Sequence, residues 1–392
     1  MVKSRSLTQL EAVLKTVERC NLNCSYCYFF HAGDESYRQH PPFIRAETIA
    51  DTARFLEEGC LELGISTLII NFHGGEPMLQ PHEAFDHMCS TFRSHLSGKV
   101  NLLFAMQTNG TLVTDKWIEL FAKHDVCVSV SCDGPKEYHD IYRIDHRGQG
   151  SFDRMAEGLK QLQRGYQAGK IQHPGTLCVI NPELNGRALY QYFRKELGID
   201  YMDFMFPNVT YETSREDPSL YGRFLCELFD AWVEEDLPGV KVRILESTLR
   251  LMLGHESILS TSGPLIPTYE TITISSAGDL SPDDVLRSAR PSFLVTGKTV
   301  KNTTLKELLQ HPVFDTFYHA TTHLPQACRS CCWQHVCKGG YILHRYRHSN
   351  GFDNPSLMCS ALKQFYATVA RYLLDHGVAQ KRLEEVLFTH VE

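Results

Sequence analysis

The chain has 392 residues, of which 43% are hydrophobic and 22% are charged, and it carries a net charge of −7. This composition is typical of a folded globular protein and excludes a disordered or fibrous one. Lys and Arg residues are scattered, so no binding face for nucleic acid is predicted. Residues 1–11 lack the apolar core of a signal peptide, and no later run reaches the length of a membrane span. We therefore predict a cytoplasmic protein without nucleic-acid or membrane partners.

The predicted elements of the first half alternate between strands and helices. The predicted strands are 10–19, 67–72, 102–106, 126–130, 176–180 and 201–206, and the predicted helices between them are 46–63, 81–96, one that starts at Thr114-Asp115, 152–166 and 187–197. This alternation implies parallel strands joined by right-handed crossovers. Six units are too few for a closed barrel of eight. We predict an α/β fold with a partial (β/α)6 TIM barrel, whose loops after the strands face one cavity.

The periodicity changes after residue 207. The predicted elements there are helices 219–235 and 242–253, a Ser, Gly and Pro-rich passage at 260–267, a hairpin at 272–280 and a helix at 360–376. We predict three domains, which are a barrel over 1–207, a helical bridge over 208–267 and a C-terminal module over 268–392.

Cysteines are numerous, and eight of the 14 fall into two groups. In a large chain without a signal peptide, this pattern indicates reduced, metal-bound thiols rather than disulfides. The other cysteines are predicted to be small buried apolar residues. They are Cys60, Cys89, Cys127, Cys132, Cys178 and Cys226.

The first cysteine group follows the first predicted strand and consists of Cys20, Cys24 and Cys27. Thiolates this close together on one loop suit a metal or an iron–sulfur cluster. A structural zinc site would recruit a fourth ligand, whereas three ligands leave one iron of a cluster open. We predict a cluster whose open iron binds a substrate or cofactor.

The triplet, Tyr26 before its last member, Gly74-Gly75-Glu76-Pro77 after the second strand, and the six β/α units together resemble a radical S-adenosylmethionine (SAM) enzyme. The resemblance implies a four-iron four-sulfur cluster on the three cysteines, with SAM on its open iron. It also implies an external one-electron donor such as flavodoxin or ferredoxin. SAM would be cleaved to a 5′-deoxyadenosyl radical that removes a hydrogen atom from the substrate.

The same resemblance implies a set of SAM contacts. The glycine pair would let the backbone approach the methionyl end of SAM, and Glu76 would accept a hydrogen bond from its ammonium group. Arg143 would meet the SAM carboxylate, with a surface ion pair as its alternative role, and Ser131 would contact the ribose. The implied cofactor-binding residues are Tyr26, Gly74, Gly75, Glu76, Gln107, Asn109, Ser131, Asp133 and Arg143.

The second cysteine group resembles the SPASM extension of peptide maturases, in a truncated form. The residues that match the ligands of its outer auxiliary cluster are Cys328, Cys331, Cys337 and Cys359. Tyr341 stands where a further cysteine is expected, and no cysteine lies between 227 and 327. We therefore expect one auxiliary four-iron four-sulfur cluster, with Cys332 a packed neighbour. Structural zinc on the same four thiolates is the alternative.

Three stretches of the C-terminal module narrow the resemblance to cyclophane-forming peptide maturases. They are Gly339-Gly340, His344-Arg345-Tyr346 and residues 351–356. The resemblance implies a crosslink from an aromatic ring carbon to the β-carbon of a residue two positions later in a ribosomally made precursor peptide, which has a leader and a core. Asp284 is the predicted proton acceptor.

Other outcomes of the same hydrogen abstraction are open. They are epimerisation, β-carbon oxidation as in sulfatase maturation, and cyclopropane or ether formation. Outside the enzymes, a non-catalytic metal-binding scaffold for a peptide is the alternative.

Overall fold

The computed structural model describes residues 7–257 and 268–388. The strands are β1 (Gln9–Val17), β2 (Thr67–Gly74), β3 (Asn101–Thr108), β4 (Val126–Ser131), β5 (Gly175–Val179), β6 (Tyr201–Met205), β7 (Lys241–Val242), β8 (Tyr269–Ile274) and β9 (Leu280–Pro282). The prediction for residues 1–11 lies mainly outside the described residues, and the passage 260–267 lies wholly outside them.

Fourteen α-helices lie in the described ranges. They are α1 (Tyr28–His31), α2 (Ala46–Leu63), α3 (His82–Leu96), α4 (Asp115–His124), α5 (Lys136–Tyr142), α6 (Phe152–Gln167), α7 (Gly186–Lys195), α8 (Pro218–Glu235), α9 (Arg243–Met252), α10 (Leu305–Leu309), α11 (Pro312–Thr322), α12 (Gln334–Cys337), α13 (Cys359–Asp375) and α14 (Gln380–Phe388). The six predicted strands of the first half are present as β1–β6 and alternate with helices, which confirms the predicted fold class.

The chain forms two compact units. Unit 1 takes its described residues from 1–132, 136–176 and 267–317, and unit 2 takes them from 133–135, 177–266 and 318–392. These units cut across the predicted domain boundaries. Residues 268–317 pack with the first strands, although their sequence was assigned to the C-terminal module. Local periodicity reports the type of an element, and it carries no information on which distant segments pack together.

Unit 1 is built on a mainly parallel sheet. β1 pairs in parallel with β2 and with β8, the pairing continues from β2 to β3 and β4, and β9 lies antiparallel to β8. The last pair is the predicted hairpin. Helix α2 packs with α3 and α10 and buries residues spaced for one helical face, which are Ile49, Ala53, Leu56 and Cys60. Each large apolar side chain that is fully buried in this way stabilises the fold by about 1.5–3 kcal/mol.

The carboxyl ends of β1 and β2 are brought together by an irregularity. Lys15 lies opposite His73, and the register then shifts so that Val17 lies opposite Gly74. Gly74 has a φ of 141°, and a Cβ there would lie 2.1 Å from the Val17 carbonyl oxygen. Only glycine fits this close approach. The shift places the loops that follow β1 and β2 against each other.

Unit 2 is dominated by helices α7, α8 and α13. Gly186 lets α7 approach α8, because a Cβ there would lie 2.1 Å from the Phe224 carbonyl oxygen. Gly222 on α8 does the same for α13, with a Cβ position 3.0 Å from the Cα of Ala361. Strand β7 adds to β6 in parallel. The cysteines of the second group follow α11 in sequence, and the last of them, Cys359, is the first residue of α13.

Candidate functional site: two cysteine groups

The three cysteines of the first group lie on the loop between β1 and α1, in unit 1. Cys27 precedes α1 directly, and its backbone N–H donates to the Cys24 carbonyl over 3.0 Å. All three thiols are partly buried and lie close enough to interact electrostatically. The backbone N–H of Leu22 lies 3.4 Å from Cys20 Sγ, a contact that favours a thiolate. The loop thus presents three sulfur atoms together with a donor to one of them.

The donor set of this loop fits an iron–sulfur cluster. Burial, the nearby Glu76 carboxyl and the two other thiols raise the pKa of Cys20 to about 12. Three thiolates would therefore form here only against a positive charge, and a bound metal deprotonates its thiol ligands. In the ranges 7–257 and 268–388, no three His, Cys, Asp or Glu side chains are spaced for a single metal ion.

The glycine pair after β2 holds the loop that leads into Cys20. Gly75 N–H donates to the Val17 carbonyl over 2.7 Å, and Glu76 N–H donates to the Arg19 carbonyl over 2.9 Å. A Cβ on Gly75 would lie 2.0 Å from the Arg19 carbonyl oxygen, so no side chain fits. The structure explains the glycines by this contact between loops. Their predicted approach to SAM stays a prediction.

Glu76 is buried and ties the loop after β2 to the end of β3. Its carboxylate accepts hydrogen bonds from Met78 N–H at 3.0 Å, Thr108 Oγ1 at 2.7 Å and Asn109 N–H at 2.8 Å. Burial raises the pKa of Glu76 to about 7, although the three hydrogen bonds act to lower it. A carboxylate offers about four acceptor positions. The predicted bond from the SAM ammonium group would use the remaining one.

The residues predicted at the ends of β3 and β4 are held by one another and by the cysteine loop. Asn109 Nδ2 donates to Asn21 Oδ1 over 2.8 Å and lies 3.9 Å from Cys20 Sγ. Gln107 Nε2 donates to Ser131 Oγ over 2.9 Å. The structure therefore connects Asn109 to the cysteine loop and pairs Gln107 with Ser131, all within unit 1.

Asp133 groups with unit 2 and accepts a hydrogen bond from Val179 N–H over 3.1 Å. Its predicted contact with SAM stays a prediction. Arg143 belongs to unit 1, is buried, and has its guanidinium 5.3 Å from the centre of the Tyr26 ring. Burial raises the pKa of Cys27, whereas Arg143 acts to lower it. Arg143 is thus a buried residue beside Cys27, and its predicted contact with the SAM carboxylate stays a prediction.

Asp284 lies in a buried network beside the first cysteine group. Its Oδ2 is 2.6 Å from Lys15 Nζ and 3.5 Å from Arg287 Nη2, and its Oδ1 accepts a hydrogen bond from the Tyr28 hydroxyl over 3.2 Å. Lys15 Nζ also lies 3.2 Å from His73 Nδ1. The side chains of Lys15 and Asp284 are both 2% exposed, so the ion pair is shielded from water.

The titratable groups of this network have pKa values shifted in different directions. Burial by itself would raise the pKa of Asp284, but Lys15 and Arg287 outweigh it and lower that pKa to about 2. The neighbouring Asp283 differs, because burial and the charge on Asp284 raise its pKa to about 7. Burial and Lys15 lower the pKa of His73 to about 3. At neutral pH, Asp284 is therefore a carboxylate and His73 is a neutral acceptor for Lys15.

Lys15 was missed in the sequence, and it connects the network to the cysteine loop. Its Nζ lies 4.9 Å from the centre of the Phe29 ring, two residues after Cys27, and it acts to lower the pKa of Cys27. A signal was available. Lys15 lies near the carboxyl end of an otherwise buried strand, where a charged side chain needs a partner.

The second cysteine group lies in unit 2. Cys337 ends α12 and Cys359 begins α13. Cys328 interacts electrostatically with Cys331 and Cys359, and Cys337 interacts with Cys328 and Cys359. Burial raises the pKa of Cys337 to about 12, and a hydrogen bond from Tyr366 opposes that rise. The four predicted ligands are therefore neighbours in space. The first and the last of them, Cys328 and Cys359, are 31 residues apart in sequence.

Two expectations about individual cysteines were wrong, and a third cysteine, Cys226, is only partly buried where full burial was predicted. Cys332 is exposed, so it is not a packed neighbour. Cys127 is exposed as well, because β4 turns it to the face opposite the buried residues of that strand. Tyr341 is buried where a cysteine was expected, and its hydroxyl donates to Asn208 Oδ1 over 2.9 Å.

None of the helices in the described ranges is long and apolar enough to span a membrane.

Comparison with known proteins adds three findings. Residues 14–175 match the family model of the Radical SAM superfamily. The chain is 26% identical to a serine-type anaerobic sulfatase-maturating enzyme of Bacteroides thetaiotaomicron, over 90% of this chain and 87% of the relative. It is 28% identical to a cysteine-type anaerobic sulfatase-maturating enzyme of Clostridium perfringens, over 88% of this chain and 92% of the relative.

The fold also matches a solved structure described as native anSMEcpe with bound AdoMet and Cp18Cys peptide. The TM-score is 0.77 at 24% identity, over 94% of this chain and 98% of the other. This similarity confirms the α/β fold with its parallel sheet.

Proposed function

We propose that this chain, which is a radical SAM enzyme, oxidises the β-carbon of a residue in a peptide or protein substrate. Its similarity to sulfatase-maturating enzymes along nearly the whole chain supports a peptide or protein as the substrate. The observation that carries the proposal is the buried Asp284 carboxylate, held by Lys15 beside the cysteine loop. That arrangement provides a proton acceptor next to the site where a hydrogen atom is removed.

The chain uses a four-iron four-sulfur cluster and SAM. When bound, they supply the radical that removes a hydrogen atom from a substrate carbon. Cys20, Cys24 and Cys27 would hold this cluster. The auxiliary cluster would be held by the four predicted ligands of unit 2, which are Cys328, Cys331, Cys337 and Cys359.

Two buried side chains would orient SAM. Arg143 would take the carboxylate with its planar fork, and its contact with the Tyr26 ring fixes the plane of the guanidinium. Glu76 would accept from the ammonium group with its remaining lone pair. Both groups lie close to the cysteine thiols, because Arg143 acts on Cys27 and Glu76 acts on Cys20.

The low pKa of Asp284 limits which protons it accepts. A carboxylate with a pKa of about 2 takes a proton readily only from a strong acid. An aromatic ring carbon that has gained a substituent and lost an electron is such an acid, since losing the proton restores aromaticity. A serine or cysteine β-carbon radical that loses an electron becomes a protonated aldehyde or thioaldehyde, which is a strong acid as well. The low pKa of Asp284 is therefore compatible with both reactions. The resemblance of His344-Arg345-Tyr346 and residues 351–356 to cyclophane-forming maturases favours a crosslink between a β-carbon and an aromatic ring, as in a three-residue cyclophane.

The crosslinking step balances as follows. The β-carbon loses one hydrogen atom, the ring carbon loses one proton to Asp284, and one carbon–carbon bond forms. One electron leaves the substrate, and the auxiliary cluster is its proposed acceptor. A flavodoxin or ferredoxin would supply the electron that SAM cleavage requires. The peptide product is lighter by two hydrogen atoms.

A second candidate is oxidation of a serine or cysteine β-carbon to an aldehyde, which the names of the relatives favour. The substrate candidate for both reactions is a ribosomally made precursor peptide, and a short open reading frame beside the gene is where its sequence should be sought. The two products are distinguishable, because an aldehyde reacts with a hydrazide and a crosslink does not.

The deciding experiment uses anaerobically reconstituted enzyme with SAM, dithionite and the precursor peptide. We expect 5′-deoxyadenosine, a peptide lighter by two hydrogen atoms, no hydrazide adduct, and a three-residue segment that resists fragmentation in tandem mass spectrometry. A hydrazide adduct would establish the second candidate. A product of unchanged mass would indicate an epimerase. No deoxyadenosine from enzyme that carries its full iron content would contradict both candidates and support a non-catalytic scaffold.

A further inference from the structure

We propose that Arg345 is the positive counter-charge of the second cysteine group and raises the reduction potential of the cluster that the group holds. Arg345 lies between Cys337 and Cys359 in sequence and is 3% exposed. Its guanidinium donates to three carbonyl oxygens, those of Phe352 at 3.1 Å, Ala320 at 2.6 Å and His323 at 3.4 Å. These neutral acceptors take three of its five N–H groups and leave its charge uncompensated.

The cysteines of the second group are the best candidates for the anionic partner of Arg345. Among the residues that the structure describes, no carboxylate forms an ion pair with Arg345. The groups that interact with it electrostatically are Cys328, Asp353 and Cys337. Asp353 is exposed and accepts a hydrogen bond from Gln326 N–H, so water screens its charge. The two cysteines, which are partly buried, are the other electrostatic partners of Arg345.

Backbone geometry places the guanidinium against the cysteine loop. Gly339, two residues after Cys337, has a φ of 88°, and a Cβ there would lie 3.2 Å from Arg345 Nη1. The loop therefore has glycine where the arginine head group packs. This contact keeps the guanidinium next to the backbone that carries Cys337.

A buried charge without a partner is costly, so Arg345 needs an anion in the assembled protein. Four thiolates around an iron–sulfur cluster form an anionic group, and each added electron makes the group more negative. A fixed positive charge in a medium of low dielectric constant stabilises the reduced state more than the oxidised state. Arg345 is thus a positioning residue that makes the auxiliary cluster a better electron acceptor.

This inference rests on the auxiliary cluster of the proposed function, and it is independent of the peptide product. The test uses the full chain with Cys20, Cys24 and Cys27 replaced by Ala, so that any remaining cluster signal comes from the second group. Iron content and the midpoint potential, followed by electron paramagnetic resonance, are measured for Arg345→Gln and Arg345→Lys. Arg347→Gln is the matched control, because it removes an exposed positive charge two residues away.

We expect the midpoint potential of Arg345→Gln to fall by at least the equivalent of about tenfold in the reduced-to-oxidised ratio, or about 59 mV for one electron. Arg345→Lys keeps the charge, so its midpoint potential should stay closer to that of the unsubstituted protein. The midpoint potential of Arg347→Gln should equal that of the unsubstituted protein. Equal potentials in Arg345→Gln and the unsubstituted protein would overturn the inference. Equal loss of iron in the Gln and Lys variants would also overturn it, because the carbonyl contacts would then be the whole role. Zinc in place of iron in the unsubstituted protein would overturn it as well.

Discussion

The two cysteine groups differ in how their polar neighbours are satisfied. Beside the first group, Lys15 and Asp284 form a shielded ion pair, and Glu76 has one acceptor position left. Beside the second, Arg345 and His344 donate to backbone carbonyls. A carboxylate with an unused acceptor position can bind the N–H group of a ligand, whereas an arginine whose hydrogen bonds go to backbone carbonyls braces a loop and supplies a positive charge. This difference agrees with the proposed chemistry at the first group and the proposed support or electron transfer at the second.

The strongest way to break this comparison is to remove one ligand from each group. Cys27→Ala should lower SAM cleavage by on the order of 1,000-fold, because the open iron is lost with its cluster. Cys359→Ala should keep SAM cleavage within about tenfold while abolishing the peptide product. Both are measured as 5′-deoxyadenosine and modified peptide, with the exposed Cys332→Ala as control. SAM cleavage by Cys27→Ala at the normal rate would refute the assignment.

The loop contact beneath the first group offers the next test. Gly75→Ala places a Cβ about 2 Å from a carbonyl oxygen, so the loop must move, and we expect a loss of about 3 kcal/mol in the free energy of unfolding. SAM cleavage should fall by at least about tenfold. Gly239→Ala is the control, since a Cβ there meets nothing within 4 Å. Equal unfolding midpoints for the two variants in urea would show that the contact is unimportant.

The ion pair beside the first group separates radical generation from product formation. Asp284→Asn should leave SAM cleavage within a few-fold and lower crosslinking by on the order of 100-fold, because the proton acceptor is gone. Asp283→Asn should have a smaller effect, since the pKa of Asp283 is already raised to about 7 by burial and by Asp284. Circular dichroism checks that both variants fold. Normal crosslinking by Asp284→Asn would exclude it as the acceptor.

The smallest expected effect concerns His40, which joins the segment after α1 to the start of the cysteine loop. It bonds Glu18 at 2.8 Å and Asp279 at 3.2 Å. Burial disfavours the protonated imidazole, but the two carboxylates outweigh burial and raise the pKa of His40 to about 9.

A raised folded-state pKa gives stability that is fully present below the unfolded pKa of about 6.5 and is lost as the pH rises through about 9. His40→Gln should therefore lower the free energy of unfolding by on the order of 1–2 kcal/mol near pH 6 and by much less near pH 10. Urea unfolding of both proteins at the two pH values measures this. A difference that is the same at both values would contradict the charged role of His40.

Several features of the fold were readable from sequence because they depend on neighbours along the chain. The six strands, the hairpin of β8 and β9 and most of the predicted helices arise from local periodicity and turn residues. The pairing of β8 with β1 was not readable, since more than 250 residues separate Thr271 from Glu11. Contacts over that range are decided by packing.

The sequence by itself identified both cysteine groups as candidate ligand sets, the α/β class and the glycine pair, because short spacings and local patterns specify them. Only the tertiary structure decided why Gly75 is required, that Asp284 is paired with Lys15, and that Arg345 lies buried beside Cys328 and Cys337. The physical reason is common to the three. Burial makes an unpaired charge or a misplaced Cβ costly, and burial depends on which distant segments meet.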